Sequence, residues 1–298
     1  MSVYVGLDCG GSSSRVLAMD EEGNVLFQGQ SGAANLVSTP EGRLRRNLTN
    51  ASKGCPKPDY VCGCFAGLIS PQTRERGIGI LQDTFGVPAV FRAEPDYTAA
   101  LYASPEADVC VISGTGSLVC SRNNGKIVKS GGRGYILGDQ GSGYSFGRDA
   151  LMHFLQHPEQ STRYLRDQIE DVFGSLEESV LVTGVYKAPS PATILARLVK
   201  AVGHDAAEGQ EYATNSVQKH MGDLAKLVSS HVKTHQSESK QLSISLAGGV
   251  WKASAQFKDA FLNHLKEELP QIEWELHRLL RPPLYGAVEL AKELNHGN

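Results

Sequence analysis

Asp8 closes an apolar run, Val3-Tyr4-Val5-Gly6-Leu7, and leads at once into Cys9-Gly10-Gly11-Ser12-Ser13-Ser14. Small residues in a tight turn clear side chains away and expose consecutive backbone N–H groups, which suits close approach of a phosphate at Gly10, Gly11, Ser12 and Ser13. A carboxylate beside such a turn can hold Mg2+, directly or through water, and so offset the repulsion between anions. The plainer reading of Asp8 alone is a turn-forming residue. The pattern recurs mid-chain, where Val109-Cys110-Val111-Ile112-Ser113 breaks into Gly114-Thr115-Gly116-Ser117. A third small-residue turn, Gly248-Gly249, falls between a strand-like and a helical segment, where a helix N-terminus at a strand end suits a nucleotide. One such turn is usually a simple connection, but three together favour a polyphosphate site.

Asp96, in Ala93-Glu94-Pro95-Asp96-Tyr97, follows a strand-like run and opens a helix. Asp is a favoured N-cap. It is also the residue type that orients and deprotonates an attacking hydroxyl when a phosphoryl group passes to an alcohol. The densest glycine segment, Gly131-Gly132-Arg133-Gly134 to Gly141-Ser142-Gly143, carries six glycines. Their entropic cost predicts positive φ or close backbone approach. Within it Asp139 can accept hydrogen bonds from sugar hydroxyls, or from its own loop, and self-bonding is the plainer reading of Asn35 in Gly32-Ala33-Ala34-Asn35-Leu36 as well.

The elements that must position these residues follow from hydrophobic period and turn signals. Residues 3–8, 15–19 and 24–29 read as three strands, the second turn being Asp20-Glu21-Glu22-Gly23. A helix over 40–51, a strand at 60–65, a helix over 71–84, a strand at 89–91 and the helix opening near Asp96 complete a mixed α/β unit. A second copy starts at 109–113 and continues through 118–121 and 126–128 around an Asn123-Asn124-Gly125 turn. Order and spacing match the first copy, so a duplicated domain is expected. Residues 149–235 are mainly helical and read as an insertion in the second copy. A strand at 242–246, a helix over 251–269 and a last helix over 284–294 follow, the last after Pro282 and Pro283.

Composition bounds the partners. With 298 residues, 41% of them hydrophobic, the chain can bury the core of two domains. The formal charge of −3, from 29 basic and 32 acidic residues without a basic block, argues against nucleic acid and for a small ligand. No uncharged span or secretory signal is visible, and none of the six cysteines has zinc-ribbon spacing. A cytoplasmic protein without membrane or nucleic-acid partners is expected, with Cys62 and Cys64 as a buried pair on one strand face.

The turn at Asp8, the segment Ile112-Ser113-Gly114-Thr115-Gly116-Ser117 and the segment Leu246-Ala247-Gly248-Gly249-Val250-Trp251 resemble the first phosphate, second phosphate and adenosine motifs of the BadF/BadG/BcrA/BcrD ATPase family. That family lies within the sugar kinase, Hsp70 and actin superfamily, and the likeness is greatest to its N-acetylglucosamine kinases. Pro283 and Gly286-Ala287 resemble the closing segment that returns to the first domain. The resemblance implies two ribonuclease-H-like (actin-like) α/β domains flanking a cleft. Residues 1–106 form the first, with 284–298 packing back on it; residues 107–283 form the second, with the helical insertion at 149–235.

It further implies ATP with Mg2+ at Asp8, the phosphates at the two turns and adenosine at Gly248 and Gly249. Asp96 matches the catalytic aspartate. Asn35, Thr115, Gly132, Arg133 and Asp139 match sugar-contacting positions. The implied reaction is phosphorylation of an amino sugar at its 6-hydroxyl, N-acetylglucosamine first, with glucosamine and N-acetylmuramic acid as alternatives. An ATPase that activates a partner enzyme is the alternative of another class, although the cysteine arrangement of the iron-sulfur activators is absent. Related kinases make a homodimer an expectation too. Three positions depart from the pattern: Arg133 for Trp, Gln140 for Glu, and Pro95 where Asn often precedes the catalytic Asp. An Arg in the sugar loop can meet an anionic substituent such as a lactyl carboxylate, or simply be solvated.

Overall fold

The computed structural model describes residues 2–86, 88–123, 125–236 and 239–296. It divides into two compact units, Met1–Glu106 with Leu279–Asn298, and Ala107–Arg278.

Unit 1 opens with a meander of β1 (Tyr4–Cys9), β2 (Ser13–Met19) and β3 (Val25–Gly32), followed by α1 (Glu41–Ala51), β4 (Tyr60–Phe65), α2 (Pro71–Phe85), β5 (Val90–Pro95) and α3 (Asp96–Tyr102). The sheet runs β3-β2-β1-β4-β5, antiparallel within the meander and parallel from β1 to β5. Ser70 starts α2 through a capping box with Thr73, and Gly86 ends it in the left-handed conformation.

Unit 2 repeats this topology. It comprises β6 (Val109–Ser113), β7 (Ser117–Asn123), β8 (Lys126–Gly131), α4 (Gly143–Gln156), α5 (Arg163–Phe173), α6 (Glu178–Lys187), α7 (Pro191–Ala196), α8 (Val199–Ala207), α9 (Glu211–His235), β9 (Gln241–Ala247), α10 (Val250–Ala253), α11 (Ala255–Glu268) and β10 (Glu273–Arg278). Its sheet runs β10-β9-β6-β7-β8 with the same alternation of parallel and antiparallel pairs. The chain ends in α12 (Pro283–His296), which belongs to unit 1.

Alternation along β1 decides where Asp8 points. Val5, Leu7 and Cys9 enter the core under α1 and α2, while Tyr4 enters the second core, formed with Leu17, Cys62, Cys64, Ala99 of α3 and Ala287, Val288 and Ala291 of α12. Asp8 shares the face of Tyr4, and Asp96 begins the helix packed there. Asn295 pins α12 to this face, accepting from the Tyr60 hydroxyl at 2.7 Å and donating to the Tyr4 hydroxyl at 2.8 Å. Cys62 and Cys64 are buried on it together, as their spacing implied.

Three local expectations are corrected. The helix expected over 251–269 breaks at Ser254, whose extended backbone (φ −160°, ψ 152°) lets its hydroxyl cap α11 by accepting from Gln256 N. The Gly248-Gly249 turn therefore leads into a helix of only four residues. A strand was not expected at residues 273–278, yet β10 forms there with Trp274 and Leu276 against the unit 2 core. The helical region opens at Gly143, because Ser142 caps α4 by accepting from Ser145 N. Asn124 of the expected 123–125 turn lies outside the described residues. Among those residues no helix is long and apolar enough to cross a membrane.

Two contacts in unit 2 generate tests. His231 of α9 is buried against strands β7 and β8, its Nε2 2.9 Å from Ser121 Oγ and its Nδ1 2.8 Å from Ser130 Oγ. Burial first, and His235 second, hold the imidazole down to about 4, so it stays neutral in the folded protein. Below the ordinary histidine value of 6.5 the unfolded chain binds a proton that the folded one refuses. This contribution to stability is full above that value and is lost as the pH falls toward 4. The melting temperature of the wild type should accordingly drop more between pH 7 and pH 5 than that of His231→Gln; equal drops would assign the acid sensitivity elsewhere. Gly248 has φ +109°, and a Cβ there would lie 2.1 Å from the Ser113 carbonyl oxygen. Gly248→Ala should lower unfolding free energy by about 3 kcal/mol, from left-handed strain and overpacking combined, read as a shifted urea midpoint at constant slope.

Candidate functional site

In unit 1 the β1–β2 turn is closed by its own hairpin. Gly10 N donates to Ser13 O at 2.9 Å, and Gly10 O accepts from Ala34 N at 3.0 Å. Gly11 and Ser12 face solvent, and a Cβ on Gly11 would meet nothing within 4 Å, so what Gly11 supplies is clearance. Asp8 lies one residue before this turn, in register with Arg15 on β2 and Cys64 on β4. Burial, then the Asp96 carboxylate, pushes Asp8 up to about 6, while Arg15 pulls the other way and loses. Asp96 is half-buried, with Oδ1 accepting from Tyr97 N at 3.0 Å. Two carboxylates thus repel each other beside a turn with exposed N–H groups.

Asn35 performs the self-capping its loop position allows. Its Oδ1 accepts from Val37 N at 2.8 Å and Ser38 N at 2.9 Å, while Nδ2 makes no hydrogen bond among the described residues. The amide nitrogen is the end available to a ligand oxygen.

In unit 2 the turn between β6 and β7 is laced to the glycine-rich loop. Gly114 O accepts from Gly143 N at 2.7 Å, Thr115 O from Tyr144 N at 3.3 Å, and Ser117 O from Gly132 N at 3.1 Å. The Ser113 and Ser117 hydroxyls donate to Gly141 O and Gln140 O, each at 2.6 Å. Asp139, at 7% exposure and φ +61°, aims its carboxylate at the same turn. A Cβ on Gly116 would lie 2.6 Å from Asp139 Oδ2. Burial raises the Asp139 carboxyl, against hydrogen bonds from the Ser117 and Gly134 backbone and the charge of Lys129. Two acceptor sites of this carboxylate brace the loop, and the rest remain for a hydroxyl. Gly132 (φ +64°) packs on Leu118, and Arg133 is exposed with no hydrogen bond or ion pair among the described residues.

A cavity of about 500 Å3 opens beside this turn, lined by Gly114, Thr115, Gly249, Val199, Val250 and Ala253 among others. Its size suits a nucleotide-sized ligand, with apolar walls for a base. The helices α5, α7 and α8 supply one wall; their contribution has no motif and was not anticipated from sequence. Arg15, too, was missed, although its position opposite Asp8 in an antiparallel pair follows once the hairpin register is known.

The donor set suits magnesium carried by phosphate better than a protein-held ion. Among the described residues no three His, Cys, Asp or Glu side chains cluster as metal ligands, whereas Asp8 offers one partly buried carboxylate with the negative charge of Asp96 nearby.

Several solved structures share this architecture. The putative N-acetylglucosamine kinase of Porphyromonas gingivalis superposes with a TM-score of 0.75 at 20% identity, covering 99% of this chain and 100% of that one. Its counterpart from Chromobacterium violaceum gives 0.69 at 20% identity, over 98% and 99%. A ROK family glucokinase from Streptomyces griseus, in complex with glucose and AMPPNP, gives 0.66 at 17% identity, over 98% and 100%. At such identities these likenesses establish the fold, and the expected class of two actin-like α/β domains is the one observed. No curated protein matches the sequence significantly. The family model described as BadF/BadG/BcrA/BcrD ATPase spans residues 5–291, nearly the whole chain, and the chain belongs to that family.

Proposed function

We propose that the protein transfers a phosphoryl group from ATP to the 6-hydroxyl of an amino sugar, N-acetylglucosamine foremost. The observation that carries the reading is the Asp8 and Asp96 pair on one face of the unit 1 sheet, beside an exposed small-residue turn, in a member of an ATPase family. The likeness to structures named as N-acetylglucosamine kinases and a glucokinase supports a sugar as acceptor.

Asp96 takes the proton from the attacking hydroxyl, for which its half-buried position at the start of α3 gives a fixed origin. The turns Gly10 to Ser13 and Gly114 to Ser117 orient phosphate oxygens, through the N–H groups of exposed Gly11, Ser12 and Thr115, since Gly10 N and Gly114 N already donate within their own turns, and Gly248 and Gly249 admit the nucleoside without side-chain obstruction. Asp8 is the residue to hold Mg2+, directly or through water, and the ion when bound supplies neutralisation of phosphate charge. In unit 1 Asn35 donates through Nδ2 to a sugar oxygen; in unit 2 Asp139 accepts from a sugar hydroxyl, with Thr115, Gly132 and Arg133 as further sugar-contacting candidates. Catalysis then rests mainly on alignment and charge compensation.

A coupled ADP-release assay over N-acetylglucosamine, glucosamine, N-acetylmuramic acid and N-acetylmannosamine, with a no-sugar control, tests the reading. Sugar-dependent release is expected; equal release without sugar would instead identify a partner-activating ATPase. In that assay Asp96→Asn should retain ADP and sugar binding while losing turnover by about 100- to 10,000-fold, and near-normal turnover would remove Asp96 from the chemistry. Asn35→Ala should raise KM for the sugar well above any change in KM for ATP. An unchanged sugar KM would leave Asn35 as a turn-forming residue alone.

A further inference from the structure

We infer that Lys200 and Lys252 grip the phosphate chain of the nucleotide and supply the positive charge that the glycine turns lack. The inference rests on the ATP reading above and adds two residues that no phosphate or adenosine motif contains.

Four charged side chains line the unit 2 cavity together with Gly114, Thr115 and Gly249: Asp171, Arg197, Lys200 and Lys252. Two of them answer each other, since Arg197 Nη2 lies 3.6 Å from Asp171 Oδ2. Lys200 and Lys252 have no ion pair and no hydrogen bond among the described residues, and both are exposed. The cavity therefore carries two uncompensated positive charges next to a turn that offers only dipoles.

Lys200 also stands in the first turn of α8, Val199–Ala207, where a cation opposes the helix dipole. The helix accepts that cost without a carboxylate to relieve it. A solvated surface lysine needs no explanation by itself. Two unpaired lysines on separate elements, α8 and α10, lining one nucleotide-sized cavity with the phosphate turn, match a polyanion. The flexible four-carbon stem lets each ammonium follow the phosphate chain, and it acts as a point charge rather than a fixed fork. The base and ribose are left to the apolar wall of Val199, Val250 and Ala253.

Titration calorimetry on the full chain, with magnesium, separates charge from packing by comparing ADP with adenosine. Lys200→Gln and Lys252→Gln should each weaken ADP binding about fivefold, and the double variant more than either, with adenosine unchanged. The salt dependence of ADP affinity should flatten in the double variant, and Lys200→Arg and Lys252→Arg should keep the ADP binding that the Gln variants lose. Wild type and double variant binding ADP equally would overturn the inference while leaving the nucleotide site intact. Parallel weakening of ADP and adenosine would also overturn it, by showing that the lysine stems act through packing. A wild type that binds no ADP would sink the ATP reading itself, and the inference with it.

Discussion

The glycine-rich loop can lie on the β6–β7 turn only because both are nearly free of side chains where they meet. Three backbone hydrogen bonds and two from serine hydroxyls join them, and the Asp139 carboxylate fills the space left by the missing Cβ of Gly116. Each bond contributes about 1 kcal/mol net, and a buried carbonyl left unpaired would cost more than that, so the lacing resists the loss of its buried members. Its consequence is mechanical. The turn proposed for phosphate and the loop proposed for sugar form one body, and Asp139 holds a left-handed backbone to keep them so.

Unit 1 solves a different problem, that of keeping a carboxylate ionisable on a buried face. Asp8 sits where the strand should bury an apolar side chain, on the face that Leu17, Cys62 and α12 cover. Arg15 across the ladder offsets part of the cost, but burial and Asp96 together outweigh it. A partly buried pair of like charges lowers stability unless a cation joins it. On the proposed reading a metal held by Asp8 would relieve that repulsion.

Much of the fold was legible because it is written locally. The meanders around Gly23 and Gly125 and the helix over 71–84 depend on residues close in sequence. What escaped depends on partners far away. β10 is an edge strand whose Glu273-Trp274-Glu275-Leu276 alternation is short and half polar, and it became a strand only by pairing with β9. The break at Ser254 hides in a run of good helix formers, because the cap that stops one helix starts the next. At the site the same division holds. Asp8, the turn glycines and Asp96 announce themselves by type and setting. Arg15, Lys200 and Lys252 carry no motif, since their relevance comes from cross-strand register and from a cavity whose walls are built by several helices, α8 and α10 among them. Asn35 and Asp139 were legible as candidates, but which of their atoms were already committed was not.

The two copies share a topology and differ in what their turns are given. The β1–β2 turn is closed within its own hairpin and has carboxylates beside it, Asp8 and Asp96. The β6–β7 turn is braced by a loop and has cations beside it, Lys200 and Lys252. At the first turn two carboxylates outweigh Arg15, a deficit of positive charge, and in the cavity beside the second the lysines remain once Asp171 has answered Arg197, a deficit of negative charge. Neither deficit is relieved by a neutral ligand, and a bare anion would worsen the first. On the proposed reading Asp8 of unit 1 would hold the metal, which when bound supplies charge neutralisation, and the lysines of unit 2 would meet phosphate oxygens. Duplication supplied two equivalent turns, and it is the charges placed around them that distinguish a phosphoryl donor from any other small anion.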